Sequence, residues 1–338
     1  MKQTRQQKHL LEISQKYPNA WKHMDMFRNS QGKDGIPTWP NWCFAPMAAS
    51  AAIVTKGSML SSLFAVQDYS ILSALSAWRS TQGIYRFDPD TYQSIKNSKI
   101  DEIPVDIFYQ LPEWCVYIET PDSQWMGKKM YGFYAHLEWD VNSNGARHEL
   151  RLLIDTDDEL LSVPLHLIKG TINNSLNSVK SEAIKQGDAH GLGMINKFIP
   201  TNFYDFMAMN VEPLLSLIMY ICSSDADIIN PRNPTMKPQN PSPKKTRRKG
   251  KKTFAAKKTT IWETGFNLGK VIRNYNKQSS KIKGTKRPHV RRAHWHHYWQ
   301  IENSKTGRKK LIAKWLPPTL VAFKQSEELK PTIRKVAT

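Results

Sequence analysis

Apolar positions in the front half of the chain recur at helical spacing. The stretch up to about Tyr17 has polar, helical character and is stopped by Pro18. Leu60, Leu63, Phe64, Ile71, Leu72, Leu75 and Trp78 then predict an amphipathic helix over about Ser58–Arg79, with Gly83 closing the turn behind it. Between these segments, residues 32–46 are rich in Pro, Gly and Trp and predict an ordered loop. Asp88 followed by Pro89 has the chemistry of an N-cap and first helical residue, and predicts a short helix to about Asn97.

The period changes in the middle. Cys115–Thr120 and Leu161–Ile168 predict strands, and Met130–Asp140 and Ala146–Thr156 flank a hairpin turn at Asn142-Ser143-Asn144-Gly145. Helical character returns at Ile172–Lys185 and at Val211–Cys222, where near-continuous apolarity predicts a buried helix. Residues 231–258 hold five prolines and the basic block Lys244–Lys252. Such a composition does not offset the entropy of ordering, so a disordered basic linker is expected. Beyond it, Phe266, Leu268, Val271, Ile272 and Tyr275 predict a helix. Ala293–Glu302 and Arg308–Trp315 predict a hairpin turning at Asn303–Gly307. The expected fold is α+β, with a helical N-terminal part and an antiparallel sheet with packed helices. The expected division is a mildly acidic body at 1–230, a linker at 231–258 and a basic helix–hairpin unit at 259–338, whose packing onto the body is left open.

With 338 residues, 40% of them apolar, and eleven tryptophans, the chain can build one large core or two ordinary ones. The formal charge of +20 is unevenly spread: residues 231–338 carry 29 Lys and Arg against 4 Asp and Glu, while residues 1–230 carry 20 against 25. The basic tail implies an anionic partner, nucleic acid first among them, with a solvated basic surface as the plainer alternative. Cys43, Cys115 and Cys222 are far apart and make no disulfide framework, which suits a reducing compartment. There is no apolar signal core, and the run Leu214–Cys222 is about half of a membrane span, so a soluble cytoplasmic protein without membrane contact is expected.

The densest chemistry lies in Lys286–Gln300, KRPHVRRAHWHHYWQ, which holds four of the ten histidines. Guanidinium forks suit phosphate and aromatic faces suit bases. Candidate RNA- or anion-binding residues are therefore Arg287, His289, Arg291, Arg292, His294, Trp295, His296, Tyr298 and Trp299. On a strand, Trp295, His297 and Trp299 share one face, and His294, His296 and Tyr298 the other. Two imidazoles and a cation are also the equipment of metal-free RNA cleavage, so His289, His294 and His296 are candidates for a ribonuclease, with Arg291 and Arg292 on phosphate. A metal is not expected there, because no carboxylate or Cys lies nearby and the cations repel one. The acidic run Asp155–Glu159 lacks the glycine and ligand ladder of a calcium loop and reads as a turn. No Walker loop, GxGxxG, HExxH or GxSxG is present, and no cofactor is expected.

Four segments together resemble the second family of type V-A anti-CRISPR proteins: Ser76–Tyr85 (SAWRSTQGIY), Leu111–Tyr117 (LPEWCVY), Asp155–Asp158 (DTDD) and Lys286–Trp299 (KRPHVRRAHWHHYW). The resemblance covers roughly residues 70–160 and 260–323, and its last motif is the most specific. It implies a regulator from a mobile element that lowers production of the type V CRISPR nuclease. Such a regulator recognises the nuclease's N-terminal polypeptide as translation begins, and the encoding mRNA is lost. With that division of labour, Trp78, Arg79, Tyr85, Trp114 and Tyr117 are candidates for polypeptide contact, core packing being the alternative, and the basic tail is a candidate for RNA or ribosome contact. A plain plasmid or phage nucleic-acid-binding protein is the remaining reading.

Overall fold

The computed structural model describes residues 3–33, 35–56, 63–100, 102–142, 145–167, 169–176, 203–246, 250–279, 289–291, 293–303, 307–317 and 319–321. The front is helical: α1 (Arg5–Lys16), α2 (Ala20–Asn29), α3 (Met47–Val54) and α4 (Leu63–Arg79). A reciprocal capping box starts α1, with the Gln7 amide donating to Thr4 Oγ1 at 3.3 Å and the Thr4 amide to Gln7 Oε1 at 3.1 Å. After β1 (Gly83–Phe87), Asp88 caps α5 (Pro89–Lys96) as its sequence predicts, accepting from the Asp90 and Thr91 amides. A 3-10 turn (Val105–Gln110) leads into β2 (Cys115–Trp125), β3 (Lys128–Asn142), β4 (Gly145–Thr156) and β5 (Leu160–His166). The long buried helix α6 (Phe203–Cys222) begins eight residues before its expected start, with Pro213 inside it. One lost backbone hydrogen bond does not end a helix whose apolar residues from Val211 to Cys222 are buried. Of the helix expected over 172–185, residues 172–176 are helical and the rest lie outside the described residues.

The sheet runs β5-β4-β3-β2-β1-β9-β6, with β6 at Ile228–Ile229 and β9 at Thr260–Thr264. It is antiparallel from β2 to β5, as expected, but β1 pairs parallel with both β2 and β9, so the sheet is mixed. Strand alternation divides it into two buried faces. Tyr85, Val116, Ile118, Phe133 and Ile154 pack in a core shared with α5, α6 and the 3-10 turn, whereas Ile84, Tyr117, Tyr134 and Leu153 pack under the front helices. Gly83, read as the end of a helix, is instead the first residue of β1. The left-handed turn belongs to Gln82 at φ 51°, and Gly83 is needed because a Cβ there would lie 2.2 Å from Glu113 Oε2.

The Pro- and Lys-rich stretch was expected to be disordered; where it is described, it is instead strapped across the body. Asn240 Oδ1 accepts from the Trp114 amide at 2.6 Å, Ala256 O from Gln82 Nε2 at 2.6 Å, and Asn29 Oδ1 from the Thr253 amide at 2.8 Å. The strap builds no core of its own; it uses polar groups that the body leaves open. Within it, β7 (Lys244–Thr246) and β8 (Gly250–Lys252) pair. The basic C-terminal part joins the body through β9, through α7 (Phe266–Ser279) against α5, and through a hairpin of β11 (His294–Asn303) and β12 (Arg308–Leu316) against α6 and the 3-10 turn. β10 (His289–Arg291) pairs with β13 (Thr319–Val321).

Gly132 on β3 gives a test of the central packing. An added Cβ would lie 2.5 Å from both Ile118 O and the Tyr117 hydroxyl. That hydroxyl is held by its 2.8 Å bond to Asp155 and is not free to withdraw. Gly132→Ala is expected to lower stability by about 2 kcal/mol in urea unfolding; an unchanged midpoint contradicts this packing.

Candidate functional site

The front helices pack mainly over β2–β5 and leave the same face of β1 and β9 open. There a groove of about 600 Å³ runs between the N-terminus of α1 and the start of α7. Ile84, Ile261, Phe87 and Phe266 make it apolar, and Arg5, Arg86, Glu119 and Tyr131 rim it. Arg86 forks onto Glu119 at 2.6 and 2.9 Å, an exposed pair of the kind that contributes little to stability and exchanges partners readily. Arg5 holds the opposite wall. Its Nε lies 2.7 Å from Asp155 Oδ1 and its guanidinium 3.9 Å over the Tyr131 ring. Asp155 is fully buried, and burial raises its carboxyl even though Arg5 and the Tyr117 hydroxyl both bond to it. The acidic run therefore anchors α1 at its first residue. Asp157 accepts from Tyr131, and Asp158 lies 3.2 Å from Lys128. Among the described residues no group of three His, Cys, Asp or Glu side chains is placed to hold a metal.

The aromatic residues put forward for polypeptide contact need correction. Trp78, Tyr85, Trp114 and Tyr117 are all closed off from solvent in the two cores. Trp78 Nε1 donates to Gly83 O at 2.8 Å, Tyr85 to Glu113 Oε2 at 2.9 Å, and Trp114 Nε1 to Asn41 O at 2.8 Å. Their residue types suit a recognition surface, but each is spent on holding the sheet to its helices. Arg79 ion-pairs with Asp25 and stacks over Trp21. Only Tyr117 borders the groove, supporting it from beneath.

The hairpin divides as its alternation predicts, and its inner face is part of the core. Trp295 and Trp315 pair across it, donating to Ser216 Oγ at 3.3 Å and Ser98 Oγ at 2.8 Å. Gln110 Nε2 donates to Leu311 O at 2.7 Å. Trp299 lies on this face too, but the strand has run past its support and Trp299 is 48% exposed. On the other face His296 and Tyr298 are exposed with their rings 5.9 Å apart, half-buried His294 precedes them, and Lys314 and Lys310 stand on the facing strand. Trp295 thus leaves the set of candidate RNA contacts, while His296 and Tyr298 on the lysine-bearing face and Trp299 on the opposite face are accessible. His289 and Arg291 sit on β10, and Arg287 and Arg292 lie outside the described residues.

A model of the AcrVA2-like family, the anti-CRISPR type V subtype A2 family, matches residues 85–323. The chain belongs to this family. Its match spans β1 through the C-terminal hairpin, and so takes in most of the groove and all of the basic surface. The chain is also 24% identical over 279 residues to protein FinQ of Escherichia coli, covering 77% of this chain and 78% of that protein. The crystal structure of AcrVA2 has the same fold, with a TM-score of 0.63 at 23% identity over 93% of this chain and 99% of that one.

In this AcrVA2-like chain the histidines with strongly shifted titration lie beneath the front helices. Burial and then the Arg151 guanidinium depress His136 to about 3; burial and then Arg5 depress His9 to about 4. Both are neutral in the folded chain, whereas the unfolded chain protonates them near pH 6.5. A depressed folded value means stability present above that pH and lost as the pH falls toward the folded values. The urea midpoint is expected to drop between about pH 7 and pH 4, with a shallower drop in His136→Gln. An equally steep profile in the variant contradicts the assignment.

Proposed function

We propose that the chain recognises the N-terminal polypeptide of a target protein, the type V CRISPR nuclease foremost, as translation begins, and brings about loss of the mRNA that encodes it. The observation that carries this reading is the open half of the sheet face. It offers apolar floor residues for alternate side chains of an extended segment, and an exchangeable ion pair at the rim for either sign of charge. Family membership supports the anti-CRISPR role of such a groove. The hairpin supplies the second half of the function, with Tyr298 as a stacking face beside Lys310 and Lys314, and Trp299 as one on the opposite side, for RNA or the ribosome. Neither surface requires the chain to catalyse a reaction itself.

The two surfaces are separable by mutation. Ile261→Lys is expected to weaken binding of a fluorescent peptide of the target's opening residues by at least about ten-fold, since a charge replaces the apolar floor. The double variant Tyr298→Ala and Trp299→Ala is expected to keep peptide affinity and to restore the target transcript in co-expressing cells. Full peptide affinity in a folded Ile261→Lys variant contradicts the groove assignment. Cleavage of naked RNA by purified protein, lost in His294→Ala, would replace this reading by the ribonuclease one.

A further inference from the structure

β9 is paired along its whole length on one side, but for only two residues on the other. The Thr260 amide donates to Gln82 O at 3.0 Å, and Thr264 O accepts from the Asp88 amide at 2.9 Å. Residues 260, 262 and 264 therefore turn their backbone groups toward β1, and Ile261 and Glu263 turn theirs outward. Glu263 pairs with Ile229 of β6, and the same register would bring Pro231 opposite Ile261. The chain leaves the sheet before that point. Asn230 Oδ1 accepts from the Arg232 amide at 2.9 Å and the Asn233 amide at 3.2 Å, closing a turn, and Pro231 has no N–H to give. Among the described residues no strand pairs with Ile261 on its outer side, so its N–H and C=O stand at an open stretch of sheet edge.

Cavities flank this edge on both faces. On one lies the groove, with Ile261 and Phe266 among its apolar residues. On the other, under the Pro- and Lys-rich strap, lies a second cavity of about 610 Å³. Thr260, Trp262, Met236 and Phe254 line it, together with Lys244 and Lys257. Side chains of a strand alternate between faces, so a strand laid along Ile261 would send every other side chain toward the groove and those between toward the strap cavity. An extended polypeptide is the ligand that presents N–H and C=O groups in line with side groups on both sides. Main-chain pairing at a sheet edge, with pockets for alternate side chains, is a general way of holding one.

We propose that the target polypeptide is held as an added strand on the outer edge of β9, continuing the line that β6 leaves at Pro231. The proposal rests on the polypeptide reading of the groove and deepens it. The polypeptide backbone bonds to the Ile261 N–H and C=O, and alternate apolar side chains fill the groove. The intervening side chains, apolar or acidic, meet Met236, Phe254 and the two lysines.

The test places isotope-labelled isoleucine in the full chain and follows amide hydrogen exchange. Ile261→Val identifies the Ile261 signal while keeping the backbone and a branched side chain. In the chain alone the Ile261 amide is expected to exchange at least about ten-fold faster than that of Ile118, which lies in the sheet interior. Saturation with a peptide of the type V nuclease's opening residues is expected to slow it to the range of Ile118. N-methylation of the peptide gives the complementary readout. At the residue that bonds Ile261 it is expected to lower affinity at least about ten-fold, and at the immediate neighbours far less. A peptide that binds while the Ile261 amide exchanges as before, or whose affinity ignores N-methylation at every position, overturns strand addition and leaves the groove reading standing. Protection of Ile261 in the chain alone also overturns it, and protection that grows with protein concentration would assign the edge to a second copy of the chain. A peptide that does not bind at all defeats both readings.

Discussion

The pairing of Thr260–Thr264 with β1 is the constraint on which the other features depend. This five-residue strand belongs to the basic end of the sequence, yet it lies in parallel register beside β1, four of whose five residues are buried. That register fixes where the strap must arrive, where α7 starts, and which way each side chain of β9 points. Ile261 turns toward the sheet-face groove and Trp262 toward the cavity under the strap. A groove and a cavity thus lie on opposite sides of neighbouring residues of β9. A one-residue slip of β9 would exchange their faces and remove both.

Charge follows the same construction. Where it is described, the basic tail inserts apolar and aromatic residues in the core and leaves its lysines around the edges. Trp295, Trp315 and Trp262 are its anchors, each buried with its indole N–H paired or facing a cavity. Basic surface is thereby held against the element that shapes the groove. Polypeptide and RNA contacts made by one chain would be mechanically linked through β9 and the hairpin's seat on α6.

Much of this architecture is legible in the sequence where the local signal is long or chemically specific. The α4 pattern from Leu63 on, the Asp88–Pro89 helix start, the hairpin of β3 and β4 and the alternation of β11 appear as read, while the expected first turn of α4 at Ser58–Ser62 lies outside the described residues. The strands β1 and β9 do not, because five residues such as GIYRF and TIWET carry too little periodicity to separate from a loop. The groove is illegible for another reason: Arg5, Arg86, Glu119 and Ile261 come from segments that meet only in the folded sheet. Residue type misleads for Trp78, Tyr85, Trp114 and Tyr117, since an aromatic side chain suits a core as well as a surface and only packing decides between them. Glu113 lies inside a motif already conspicuous in the sequence, but its burial against Gly83 has no signature there.

The most direct measurement of the central claim is transcript abundance from a type V nuclease reporter co-expressed with this chain, with its opening codons altered in two ways. Synonymous recoding changes the RNA and keeps the polypeptide; substitution of the encoded residues changes the polypeptide. The account predicts that transcript loss survives the first and disappears with the second. Loss abolished by synonymous recoding alone would contradict it, because the chain would then be reading the RNA in place of the nascent polypeptide.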